Sequence, residues 1–190
     1  MAILAKDERG PRERPTLGIH DAICVFVVDV GTHTTKTQFG EKTQHKVVFC
    51  WELDENIKNG EYAGKPFMVS KRYTLSLFKK ANLAEDLESW MAKKIPDETR
   101  KAGIDLEIFK GRKCTINLVE SADGEYVNVG SVLPANKDNK LVPLCVEIPA
   151  WINKLKMVSL EATQGDNWGD GTPLPSDADA PPQEDDDLPF

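Results

Sequence analysis

A chain of 190 residues, 40% of them hydrophobic, has material for one core of ordinary size plus tails, or for two very small domains. Its net charge of −7 and isoelectric point near 5.1 exclude a uniformly basic nucleic-acid binder. The charge is uneven, however: residues 161–190 hold nine acidic side chains and no Lys or Arg, which leaves residues 1–160 at +2. A mildly basic body with a strongly acidic tail fits a solubilising tail on an ordinary domain, or a nucleic-acid protein whose tail has its own task.

Cys24, Cys50, Cys114 and Cys145 form no Cys-x-x-Cys pair and lie in apolar or strand-like runs, the pattern of buried reduced thiols. His20, His33 and His45 show no zinc-ligand spacing with them, so no metal or cofactor is expected. The first seventeen residues are polar and mixed in charge, unlike a secretory signal. The longest apolar run, Ala22–Val28, is too short to span a bilayer. A cytoplasmic protein is expected.

In chain order, residues 1–17 read as a flexible arm. His20–Val30, rich in β-branched and aromatic residues, predicts a first strand buried on both faces along part of its length. Residues 31–44 read as a polar loop. His45–Leu53 predicts a second strand, with Val47, Phe49, Trp51 and Leu53 on one face and Lys46, Val48, Cys50 and Glu52 on the other. After a charged loop, Pro66–Leu77 predicts a third strand. Phe67, Val69, Lys71, Tyr73 and Leu75 share one face, and Met68, Ser70, Arg72 and Thr74 the other.

The period then changes. Leu83, Leu87, Trp90 and Met91 recur at helical spacing, with Asn82 as cap and Glu85 in capping-box position. Residues 96–111 read as helical turns and loop ended by Gly111. Arg112–Glu120 and Glu125–Leu133 predict a hairpin about the turn Ser121–Gly124. Leu144–Ile148 suggests a sixth strand, and Trp151–Met157 a short helix laid on the body. Residues 161–190, rich in Gly, Asp and Pro, should be disordered.

Five strands with one helix between the third and fourth is the layout of a mainly β, five-stranded OB-fold barrel, here expected over residues 18–160; a generic α+β sheet gives the same string. The tail ends in Asp185-Asp186-Asp187-Leu188-Pro189-Phe190. As a docking peptide this makes physical sense. The carboxylates steer toward a basic rim, Phe190 anchors in a small apolar pocket, and its α-carboxylate suits an Arg fork. Pro189 lowers the ordering cost. A linker of about 24 residues reaches roughly 25–30 Å, so partners can dock while the body holds its ligand.

These six residues resemble the acidic tip of bacterial single-stranded DNA-binding proteins, which in that family recruits replication, recombination and repair proteins. The stretches Lys65–Leu77, Lys80–Leu83, Asp86–Trp90 and Gly111–Asn117 are similar to a group of bacteriophage OB-fold single-stranded DNA-binding proteins. This second resemblance spans roughly residues 20–134. It implies a phage or prophage origin, action inside a bacterial cell, and single-stranded DNA as the ligand.

Coating single strands without sequence preference needs a basic groove and aromatic platforms. The sequence offers Lys36, Phe39 and Lys42 in the first loop, Lys46 and Trp51 in the second strand, and Lys71, Arg72 and Tyr73 in the third. Trp51 shares its face with Val47 and Phe49, so core packing explains it at least as well as stacking. Tyr73 is evenly balanced, and Lys71 and Arg72 point to opposite faces. Phe39, in a polar loop, favours a contact role. Trp90 reads as core.

No Walker A loop, Gly-x-Ser-x-Gly or His-Glu-x-x-His motif is present, so catalysis is not expected. Two other readings stand beside a coating protein: an OB-fold adaptor that binds replication proteins, and a recombination mediator that loads an annealing protein. An exposed strand edge or the segment 141–157 could carry a homodimer.

Overall fold

The computed structural model describes residues 13–162, except 38, 39, 123, 125 and 146. Their five strands form one antiparallel sheet: β1 (Gly18–Thr37), β2 (Gly40–Asn56), β3 (Pro66–Thr74), β4 (Lys113–Glu120) and β5 (Val127–Pro134), in the order β3-β2-β1-β4-β5. Helices α1 (Asn82–Met91) and α2 (Asp97–Ala102) and a 3-10 turn (Leu106–Phe109) join β3 to β4; α3 (Ala150–Ala162) follows β5.

β1 serves two partners. Gly18–Ile23 pair with β4, and the strand from Ala22 to Thr37 pairs with β2. Register shifts between Cys24 and Phe26, and between Asp29 and Gly31, mark bulges. The first lets Val25 and Phe26 both enter the same apolar layer as Ile23, where simple alternation would separate them.

Two cores result, one on each side of β2. The inner one gathers Phe49, Trp51, Tyr73, Trp90 and Phe109 with Leu83 and Leu87 of α1. The outer one packs Ile23, Val28, Val48 and Cys50 beneath Ile152 and Leu155 of α3, which realises the helix expected over Trp151–Met157. Burial pushes the thiols of Cys24, Cys50 and Cys114 upward, to about 12 for Cys50, so they stay protonated and act as small apolar groups.

Several expectations are corrected. Residues 31–44 are not a loop: where described, they are the far end of the β1–β2 hairpin, with Thr34 opposite Thr43 and Lys36 opposite Glu41. The threonines are β-branched and good strand formers, and the Thr34 and Thr43 hydroxyls bond at 2.9 Å. β3 ends at Thr74 rather than Leu77. Asn82 is the first helical residue of α1, the N-cap is Ala81, and no side chain caps it. Leu144–Ile148 contains no strand among its described residues. Instead the buried Glu52 carboxylate accepts the amides of Leu144 and Cys145, taking donors that a ladder would have used. Within the segment read as a flexible arm, residues 13–16 are bonded to the body. Glu13 accepts the Lys58 and Asn59 amides, Thr16 donates to Glu55, and Arg14 donates to the Gly124 carbonyl.

The two ends of the sheet, β3 and β5, approach each other without a ladder between them. Lys71 Nζ on β3 reaches the Gly130 carbonyl of β5 at 3.3 Å. The same ammonium lies 2.7 Å from Asp86 Oδ2 of α1, which also accepts the Tyr73 hydroxyl at 2.6 Å. Burial, then the Asp86 charge, hold Tyr73 well above its ordinary pKa, so it remains a donor. Asp86 thus ties α1 to β3, and Lys71 carries the tie to β5.

A second carboxylate fixes the exit of α1. Buried Glu88 accepts from Lys94 Nζ at 2.6 Å, from the Ile95 amide at 2.9 Å and from the Arg100 guanidinium. The hydrogen bonds from Lys94 and Ile95, with the charges of Lys94 and Arg100, hold its carboxyl below the ordinary 4.5.

Two outcomes follow. Asp86→Ala strips Lys71 and Tyr73 of their shared partner and should lower the unfolding free energy by about 3 kcal/mol in urea titrations. A carboxyl depressed in the folded state stabilises it above the unfolded-state pKa, and this is lost as pH falls through the folded-state value. Glu88→Gln should therefore unfold at lower urea than wild type near neutrality, and the two midpoints should converge as pH drops below 4.5.

Candidate nucleic-acid interface

Strand pairing decides which side chains meet. Lys46 lies opposite Thr74, and Val48 opposite Arg72. Val48 belongs to the outer core. By alternation Lys46 and Arg72 therefore share the outer face of β2 and β3, one step apart on neighbouring strands. Lys46 Nζ donates to Gln44 Oε1 at 2.7 Å and to Thr74 Oγ1 at 3.2 Å, and with only 7% of its surface exposed the residue is held within the face and adds its charge from below. Lys42 stands two steps farther along the same face, opposite Thr35, where the hairpin projects beyond both cores as a polar ribbon. Lys36 is on the ribbon's other face, 87% exposed and 3.8 Å from Glu41. Such a pair is weak in water.

At the ribbon's base His45 Nε2 lies 2.7 Å from Asp29 Oδ1. Burial works against the Asp29 charge, but the Gly31 amide, His45 and Lys156 together hold its carboxyl below the usual range. Lys156 belongs to α3, as does exposed Lys154, so the helix that covers the outer core adds positive charge to the same side of the sheet.

The other expected residues lie elsewhere. Trp51 is 1% exposed and Tyr73 2%, both inside the ring cluster, so neither can stack on a base. Lys71 points inward and is held by Asp86. These three are withdrawn from the interface, because the inner face of β2 and β3 is the core. Phe39 and the tip residues Asp185–Phe190 lie outside the described residues. The structure thus brings Lys42, Lys46 and Arg72 to one face and leaves Lys36 behind the ribbon.

Sequence reading missed the β3–α1 loop. Leu75, Phe78, Lys79 and Lys80 are exposed there. The Leu75 amide donates to the His45 carbonyl at 2.7 Å, which seats the loop beside Lys46. The available signal was an aromatic residue followed by two lysines just before a helix; extending the strand to Leu77 concealed it.

Among the described residues no helix is long and apolar enough to cross a membrane. Neither the protein-family models nor the curated proteins compared with the chain match it.

Proposed function

We propose that this protein binds single-stranded DNA without sequence preference, coats it during replication, recombination or repair, and recruits partner proteins through Asp185–Phe190. The observation that carries the reading is the sheet order β3-β2-β1-β4-β5 with Lys46 and Arg72 on the outer face of β2 and β3. That order is the one an OB-fold barrel has when opened between its third and fifth strands. In that fold the face of strands 2 and 3 and the loop between strands 1 and 2 take oligonucleotides. The close approach of Lys71 to Gly130 supports the same reading, since it lies at the seam where such a barrel closes.

The chemistry is electrostatic. Lys42 and Arg72 carry cations along one face, with the buried Lys46 charge beneath them, and each phosphate neutralised there releases a counterion. A coating protein needs no donor and acceptor code for the bases. The body's small surplus of positive charge suffices when it is gathered on one face, because the local field guides the strand. The nine carboxylates of residues 161–190 repel DNA, which suits a segment reserved for protein partners.

The test is fluorescence anisotropy of labelled oligo-dT titrated with the full chain and with a chain ending at Leu160. Binding should weaken with salt, with a logarithmic slope of about −1.4 from the Lys42 and Arg72 contacts alone. The shortened chain should bind equally or more tightly. Arg72→Ala and Lys42→Ala should each reduce the slope by about 0.7. Absence of binding by both chains at low salt would refute the proposal and leave the adaptor reading in its place.

A further inference from the structure

A protein that holds single strands regardless of sequence needs exposed aromatic faces as well as cations, because every base offers a π-face. Trp51 and Tyr73 are buried and supply none. Among the described residues the exposed aromatic side chains are Tyr62, Phe78, Tyr126 and Trp151. Tyr62 sits in the β2–β3 loop, at the opposite end of β3 from Lys46, with Lys65 Nζ 5.1 Å from its ring centre. Tyr126 lies at the β4–β5 turn and Trp151 at the start of α3. Phe78 is joined to the basic face by backbone bonds at its loop's start, whereas Trp151 reaches that side of the sheet only through the packing of α3. Thr74 accepts from Lys46, the Leu75 amide donates to His45, and Phe78 follows three residues later.

Its loop is built to hold the backbone beneath the ring still. The Phe78 amide donates to Ser76 Oγ at 3.2 Å, and the Phe78 carbonyl accepts the Ala81 amide at 2.9 Å. The preceding carbonyl, that of Leu77, accepts from the Arg100 guanidinium, while the Leu77 side chain packs against the inner core. Backbone bonds on both sides and an apolar anchor leave Phe78 62% exposed on a fixed support. A ring presented this way gives up little conformational entropy when a base stacks on it. Lys79 and Lys80 follow at once; Lys79 is 3.3 Å from Asp97 in a pair that is 69% exposed on each side, which phosphate can replace. An exposed apolar ring followed by two exposed ammonium groups, on a loop bonded to β2 beside Lys46, is complementary to a nucleotide rather than to an apolar protein surface.

We infer that Phe78 is a base-stacking platform for single-stranded DNA, with Lys79 and Lys80 as its phosphate contacts. The inference rests on the DNA-binding reading and extends the path of the strand from the outer face of β2 and β3 onto the β3–α1 loop.

The experiment uses the full chain and labelled oligo-dT at moderate salt. Phe78→Ala should weaken binding roughly tenfold while leaving the slope against salt unchanged, since stacking releases no counterions. Phe78→Tyr should restore the affinity, because it keeps a flat ring at an exposed position. Lys80→Ala should also weaken binding, but with the slope against salt lowered by about 0.7. Salt-dependent binding by the wild type with an unaltered Phe78→Ala variant would overturn the platform and leave the DNA-binding reading standing. A wild type that does not bind oligo-dT would overturn both.

Discussion

Four aromatic rings surround Phe49: Trp51 at 5.7 Å in a stacked arrangement, and Tyr73, Trp90 and Phe109 edge-on at 5.6 to 6.4 Å. Pairs of this kind contribute about 0.5–1.5 kcal/mol each beyond the area they bury. They also dictate the architecture, because the rings come from β2, β3, α1 and the 3-10 turn and can meet only if the sheet curls around them. Trp90 closes the inner face from α1, and its indole nitrogen donates to the Lys113 carbonyl at the start of β4. The polar ties at Asp86 and Glu88 then hold α1 at the angle that the rings require.

Much of this was legible. Alternation along residues 47–53 and 67–73 separated inner from outer side chains correctly, and the helical spacing of Leu83, Leu87 and Trp90 identified the covering helix. What escaped had physical causes. The ribbon at residues 31–37 and 40–44 looks like a loop because it is polar on both faces, and strands are recognised by a buried face. Its pairing comes instead from the Thr34–Thr43 pair and from continuity with the core strands. The supposed sixth strand had the apolar content of one, yet its amides go to a buried carboxylate ninety residues earlier in the chain, a bond no local pattern reveals.

The interface was half legible for a related reason. Parity along each strand assigned Lys46 and Arg72 each to a face of its own strand, but the register that unites those faces, and which charges are already engaged, came only from the structure. Lys71 looked like a groove residue because lysines are seldom buried, and its partner Asp86 sits on a helix fifteen residues away. Tyr73 was ambiguous on the same account: with Lys71 beside it the face seemed solvated, whereas the pair is part of the wall between α1 and β3. Phe78 was overlooked because it falls in a short connection between two elements that are each easier to recognise.

β2 has a further property that arises from lying between two cores. Most strands guard their register through polarity, since sliding by one residue would trade an oily face for a wet one. On β2 the middle of the strand is apolar on both sides, so polarity offers no such guard there. Size takes over: a one-residue slip would drive Phe49 and Trp51 into the layer shaped around Val48 and Cys50, and would leave those small side chains in a well made for rings. The alignment of the sheet is thus enforced by a mismatch of volumes, overpacked on one side and hollow on the other.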